Sequence, residues 1–177
     1  MINVFFDCEF TKLQQPLDPE PNELISIGCI SEAGERFYAE NSCYQVEHCS
    51  EFVVETVLPL LDGFDFLMHY SMIAKQLRTW IESFDDGTGE QNVKMWSDAP
   101  YWDWQHVKHM FDNYGWPENL RREAIALTFP SKIQTQRFKA GVENAFKTFQ
   151  PALRRHHALD DAIANRYGFE RATVRRF

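Results

Sequence analysis

No stretch of this sequence approaches the roughly 20 consecutive apolar residues that a membrane-spanning helix requires, and its start lacks a basic region followed by a long apolar one. A soluble, cytoplasmic protein is therefore the expectation. Cysteine is sparse as well. Cys8, Cys29, Cys43 and Cys49 form no C-x-x-C pair, and two of them fall inside apolar runs, where cysteine behaves as a small hydrophobe. Reduced thiols are expected, with neither a disulfide framework nor a zinc site. Positive charge is also in deficit, with 18 Lys+Arg against 26 Asp+Glu and a formal net charge of -8, which argues against a simple basic nucleic-acid binder. Internal repeats and low-complexity segments are absent too.

What is present suits one sizeable core: 177 residues, 44% hydrophobic and 15% aromatic, long enough for a single domain over 1–177 and short for two. The charge deficit is not evenly spread. Residues 1–119 hold 6 Lys/Arg against 21 Asp/Glu, whereas residues 120–177 hold 12 against 5. Arg121, Arg122, Lys132, Arg137, Lys139, Arg154, Arg155, Arg171, Arg175 and Arg176 could thus form a phosphate-facing surface, or a scattered solvated one.

The chain is organised around Val4-Phe5-Phe6-Asp7-Cys8-Glu9-Phe10. Val, Phe and Cys read as a strand, so Asp7 and Glu9 share one face, roughly 7 Å apart, and Phe6, Cys8 and Phe10 share the other. Two carboxylates on a core strand need a positive partner, and a divalent cation with oxygen ligands is the economical one. Lys12 to Asn22, with Pro16, Pro19 and Pro21, reads as a loop behind that strand. Leu24–Ile30 is a second strand, Glu32–Glu35 a hairpin turn and Arg36–Glu40 a third strand, an antiparallel meander. Ser50 can cap a short helix through Val57 with Phe52, Val53, Thr56 and Val57 on one face. Ser71–Phe84 is a helix with a core stripe of Ile73, Leu77, Trp80, Ile81 and Phe84. Asp85–Gly89 is a turn, Val93–Trp96 a fourth strand, and the loop after it becomes a helix through Phe111. A strand near Ile125–Leu127, a helix over Gly141–Phe149 and one over Ala158–Arg166, stopped by Gly168, complete a mixed α/β sheet with helices packed on both faces.

Acidic and imidazole clusters recur where this architecture would return to the first strand: Asp98 and Asp103 at the fourth strand's end, and His156-His157-Ala158-Leu159-Asp160-Asp161 opening the last helix. If one Asp from each joins Asp7 and Glu9, four carboxylates meet, which is untenable without cations. Two divalent ions would relieve the repulsion and give the arrangement that cleaves phosphodiesters, with a nearby histidine as base.

In order and spacing, Asp7-Cys8-Glu9, the acid after the fourth strand and His156-x-x-x-x-Asp161 resemble the three motifs of the DEDDh (DnaQ-like) 3′-to-5′ exonucleases of the ribonuclease H-like fold. Asp7-Cys8-Glu9-Phe10, Glu23–Gly28 and Trp96 with Tyr101-Trp102-Asp103 are most similar to a small single-domain exoribonuclease group. That resemblance implies two Mg²⁺ or Mn²⁺ ions, release of nucleoside 5′-monophosphates from RNA 3′ ends, with DNA the nearest competitor, and a homodimer. It implies Asp7, Glu9, Asp103 and Asp161 as metal ligands, with Asp103 preferred over Asp98. It also implies His156 as the base, with His157 as the alternative; Asp160 reads as a solvated helix-start acid favoured by the helix dipole. Phe10, Thr11 and Trp102 are the implied substrate contacts. A module that binds nucleic-acid ends without turnover is the reading from a different class.

Overall fold

The structure, a computed structural model, describes residues 1–13, 21–85 and 87–174. Pro16 and Pro19 of the expected loop, Asp86 of the expected turn and the basic pair Arg175 and Arg176 lie outside these residues. Six strands form one sheet in the order β4-β3-β2-β1-β5-β6. β1 (Ile2–Phe10), β2 (Leu24–Ser31) and β3 (Arg36–Asn41) are the antiparallel meander expected from their apolar runs and the turn between the last two. β5 (Val93–Ser97) lies parallel to β1 and carries β6 (Ile125–Ala126) on its outer side. β4 is only Leu67–Met68, a parallel addition to the edge of β3, too short to leave a periodic signal. The strand expected as the fourth is therefore the fifth.

Alternation along β1 sorts the two faces. Val4, Phe6 and Cys8 pack with Leu77, Ile81, Val107 and Phe111 from α1 (Tyr70–Glu82) and α2 (Pro100–Tyr114). Phe5 turns the other way, into a cluster with Phe138, Ala162 and Ile163 from α3 (Lys132–Thr148) and α4 (Ala158–Thr173). Asp7 and Glu9 continue the Phe5 row, so the carboxylates face the first turn of α4. Trp80 and Phe84 pack against the α1–α2 side, as the helical stripe predicts. No helix among the described residues is long and apolar enough to cross a membrane, and all four cysteines are free.

Glycines account for two corrections. α3 starts at Lys132, capped by the Ser131 side chain, well before the expected Gly141. α4 runs through Gly168 to Thr173 instead of stopping there. Gly141 and Gly168 face each other where the two helices cross: a Cβ on Gly141 would lie 2.8 Å from the Gly168 Cα. Both residues are spacers for close packing, and neither is a cap. Gly28 has the same role with greater consequence. It pairs with Asp7 across β1 and β2, and a Cβ there would meet the Leu159 nitrogen at 2.1 Å. Only a bare backbone lets the start of α4 rest on the sheet directly beside Asp7.

Candidate metal centre

Four elements converge at this point. β1 supplies Asp7 and Glu9, the loop after β5 supplies Asp98, the first turn of α2 supplies Asp103 and the first turn of α4 supplies Asp161. Single oxygens of Asp7, Glu9 and Asp161 lie within 4.8 Å of one another, and so do single oxygens of Asp7, Asp98 and Asp103. Asp7 belongs to both triads. Asp98, Asp103 and Asp161 are each oriented by the chain. Ser97, fully buried at the end of β5, donates its hydroxyl to Asp103 Oδ2 and accepts the Ala99 N–H at 2.9 Å. Asp161 Oδ2 accepts the backbone N–H groups of His156 and His157 at 2.7 and 3.2 Å. Asn165, one turn along α4, donates to Asp98 Oδ1 at 2.9 Å. Asp7 and Glu9 have no hydrogen-bond or ion-pair partner among the described residues.

The electrostatics follow from that geometry. Burial, then repulsion from Asp103, Glu9 and Asp161, holds the Asp7 carboxyl well above the ordinary range. Burial and the neighbouring acids push Glu9 up to about 8. Asp103 and Asp161 are pushed up to about 7, burial again leading and Asp98 adding repulsion, although the Ser97 and His156 hydrogen bonds pull the other way. An all-oxygen donor set, dense in charge and short of counter-charge, has the chemistry of a hard divalent-cation site.

His156 stands at the rim. It is exposed and adopts a left-handed backbone (φ 64°), a conformation histidine tolerates better than most residues. Its ring meets Phe52 edge-on, with centroids 5.1 Å apart. Phe52 itself is 53% exposed, contrary to the buried face expected of it; Val53 and Val57 alone of that set are buried. Beside this rim a cleft of about 480 Å³ is lined by Glu9, Phe10, Lys12, Ser50, Phe52 and Val53, among others.

His157 and Asp160 correct the sequence reading. His157 is 1% exposed, caps α4 by accepting the Asp160 N–H, stacks on Tyr38 and places Nε2 2.9 Å from the Arg154 guanidinium. With both ring nitrogens engaged and no open side, it is unsuited to act as a base. Asp160 is buried, not solvated, and accepts from Arg154 N and Nε at 3.0 and 2.8 Å. Thr11 is fully buried; its hydroxyl accepts the Glu23 N–H, its N–H donates to Glu23 O and its carbonyl accepts from Ser50. It braces the loop and does not face the cleft. Phe10 lines the cleft and stacks on His106, with centroids 5.4 Å apart. Trp102 sits half-buried in the first turn of α2, directly before Asp103. Asp98, read as a loop acid, is part of the cluster. Ser97 and Asn165 were missed; an Asp-x-x-x-Asn spacing from Asp161 is too common a pattern to single out.

No family model and no curated protein matches the chain. Solved structures do. Cell-death related nuclease 4 superposes with a TM-score of 0.55 at 12% identity, over 96% of this chain and 62% of that one. The nuclease domain of 3′hExo, a DEDDh family member, bound to rAMP, gives 0.52 at 16%, over 94% and 90%. A zinc-bound complex of E. coli ExoI with single-stranded DNA gives 0.54 at 12%, over 93% and 39%. The fold is the ribonuclease H-like fold of the DEDDh exonucleases. The chain spans less than two thirds of the nuclease 4 and ExoI chains.

Proposed function

We propose that this protein is a divalent-cation-dependent 3′-to-5′ exonuclease acting on RNA ends and releasing nucleoside 5′-monophosphates. The observation that carries this reading is the pair of carboxylate triads sharing Asp7, with one exposed histidine at their rim. Asp7, Glu9 and Asp161 would hold one ion, and Asp7 with Asp98 and Asp103 a second, Mg²⁺ or Mn²⁺. Such ions, when bound, polarise a phosphodiester and lower the pKa of a water that attacks it.

The chain's own residues do the rest. His156, whose ring nitrogens have no hydrogen-bond partner among the described residues, takes the proton of the attacking water as general base. Its backbone N–H and that of His157 fix Asp161, so the base and one acid keep their relative position. Phe10 and Phe52 flank the cleft beside Glu9, where the terminal nucleoside sits against aromatic faces, and Trp102 offers a further face beside Asp103. A one-nucleotide cleft needs a splayed 3′ end, which favours short or single-stranded substrates. The resemblance of Asp7-Cys8-Glu9-Phe10 to the exoribonucleases supports RNA, and binding of rAMP by one protein of this fold agrees with it; a homodimer is proposed on the same resemblance.

Incubation with 5′-labelled RNA and DNA oligonucleotides and Mg²⁺ or Mn²⁺ tests the proposal. Stepwise 3′ shortening, faster on RNA, and its loss with EDTA or Asp7→Asn are expected. No shortening, or shortening that survives both treatments, would overturn it.

A further inference from the structure

Five cations without a carboxylate partner among the described residues fall on the last two helices of this acid-rich chain. Between residues 131 and 174 each acid is already committed: Glu143 to Arg155, Asp160 to Arg154, Glu170 to Arg166, and Asp161 to the carboxylate centre. Lys132, Arg137, Lys139, Lys147 and Arg171 are exposed and have no carboxylate partner among the described residues. On α3, Lys132, Lys139 and Lys147 recur at helical spacing along the outer face, and Arg137 turns toward α4. Arg137 and Arg171 then flank a groove of about 520 Å³ between the two helices, floored by Ala140 and Gly141 and joined by Asn144.

The groove has a structural cause. Contact of Gly141 with Gly168 draws the helices close, so the long side chains beside it splay to either side. Arg171 is braced without a counter-charge: its guanidinium lies over the Tyr167 ring, 4.9 Å from the centroid, and donates to the Tyr167 hydroxyl, which also accepts from Asn144 at 3.2 Å. A braced guanidinium with free donors is suited to the paired oxygens of a phosphate.

We infer that the α3–α4 face binds the phosphate backbone of single-stranded nucleic acid beyond the nucleotides held at the carboxylate centre. The choice of nucleic acid over another polyanion rests on the exonuclease reading. Asp161 and Arg171 are ten residues apart on the same helix, an axial rise of about 15 Å at 1.5 Å per residue, which separates the groove from the carboxylates along α4. Only a strand longer than the terminal few nucleotides spans both, and the face therefore favours oligomers over dinucleotides.

The test uses the full chain and the triple variant Arg137→Glu/Lys139→Glu/Arg171→Glu, with Arg137→Gln/Arg171→Gln as a milder version. Binding of a fluorescent single-stranded 20-mer RNA is measured in EDTA across a salt series, and hydrolysis of a ribodinucleotide is followed with Mg²⁺. The triple variant is expected to bind the 20-mer at least about tenfold more weakly. Its log–log salt slope should be shallower by about 2, because each phosphate contact on a single strand contributes roughly 0.7. Dinucleotide hydrolysis and the circular-dichroism spectrum should be unchanged. An unaltered affinity and slope in both variants would overturn the inference. So would loss of binding to anionic phosphatidylserine vesicles with RNA binding intact. Because binding is read without metal, a wild-type protein that binds the 20-mer yet cuts no substrate, with binding weakened in the variants, would remove the exonuclease reading and leave this one standing.

Discussion

Two acidic clusters flank the first turn of α4, and the chain treats them oppositely. On one side Asp160 and Asp62 are saturated by Arg154, whose Nε reaches Asp160 at 2.8 Å and whose Nη1 reaches Asp62 at 2.6 Å. Beneath them the buried Glu40 accepts from the Asp62 and Gly63 N–H groups and the Tyr38 hydroxyl. Arg154 holds the Asp62 carboxyl below its ordinary value. On the other side Asp7, Glu9, Asp98, Asp103 and Asp161 have no ion-pair partner among the described residues, and burial with mutual repulsion holds Asp7, Glu9, Asp103 and Asp161 above theirs, Arg155 offsetting only part of this at Asp161. The division runs between neighbours: His156 and Asp161 belong to the unsatisfied side, His157 and Asp160 to the satisfied one. The fold pairs acids completely on one side of this turn and leaves five without an ion-pair partner among the described residues on the other, which is the contrast on which the proposed cation site rests.

The sharpest way to break the comparison is Asp7→Asn, which removes the acid shared by both triads. We expect 3′ shortening to fall by about 10³-fold or more, equivalent to roughly 4 kcal/mol, while the metal-free protein melts no lower than wild type because one repelling charge is gone. A matched histidine pair comes next. His156→Ala should cost about 10²–10⁴ in kcat and leave the melting temperature within the range of a surface change. His157→Ala should instead lower stability by about 1–2 kcal/mol through the lost cap. Equal behaviour of the two variants would erase the distinction drawn here.

On the satisfied side, Arg154→Met leaves Asp160 buried without its cation. Allowing for the partial exposure of the guanidinium, a loss of about 2–3 kcal/mol in denaturant unfolding is expected. Gly28→Ala tests what seats α4 beside Asp7. Its Cβ cannot be accommodated without shifting the Ala158–Leu159 backbone, so about 1–3 kcal/mol of stability and most cation binding should be lost together.

The smallest effect is on pH dependence. In the metal-free fold Glu9, Asp103 and Asp161, pushed up to about 8, 7 and 7, keep protons that the unfolded chain releases near pH 4. The folded state then binds more protons than the unfolded one across that window, so its stability falls as pH rises from about 4 to about 8. Melts in EDTA should lose a few degrees over this range, and Asp7→Asn should flatten the slope.

Much of this was legible in the sequence, for identifiable reasons. β1 through β3 stand out as apolar, β-branched and aromatic runs because helices cover both faces of the sheet and bury nearly every residue of β2 and β3, and the α1 stripe is a plain helical repeat. The two ends of α3 and α4 were not legible, because glycine reads locally as a stop, whereas Gly141 and Gly168 are set by a contact between residues far apart in the chain. In the site, the carboxylates stood out by type and spacing. The separate fates of Asp160 and Asp161 did not, since both occupy the first turn of one helix and differ only in the direction each faces. Arg154 decides that difference from six residues upstream, together with Asp62, and no local pattern announces such a partner.

The central claim is that the unpaired acids await divalent cations, and calorimetric titration of the metal-free protein with Mn²⁺ at pH 7, in two buffers of different ionisation enthalpy, tests it most directly. Binding accompanied by net proton release is expected, because Glu9, Asp103 and Asp161 hold protons there until a cation displaces them, and Asp7→Asn should abolish it. No binding at millimolar Mn²⁺, or binding that Asp7→Asn leaves unchanged, would contradict the account.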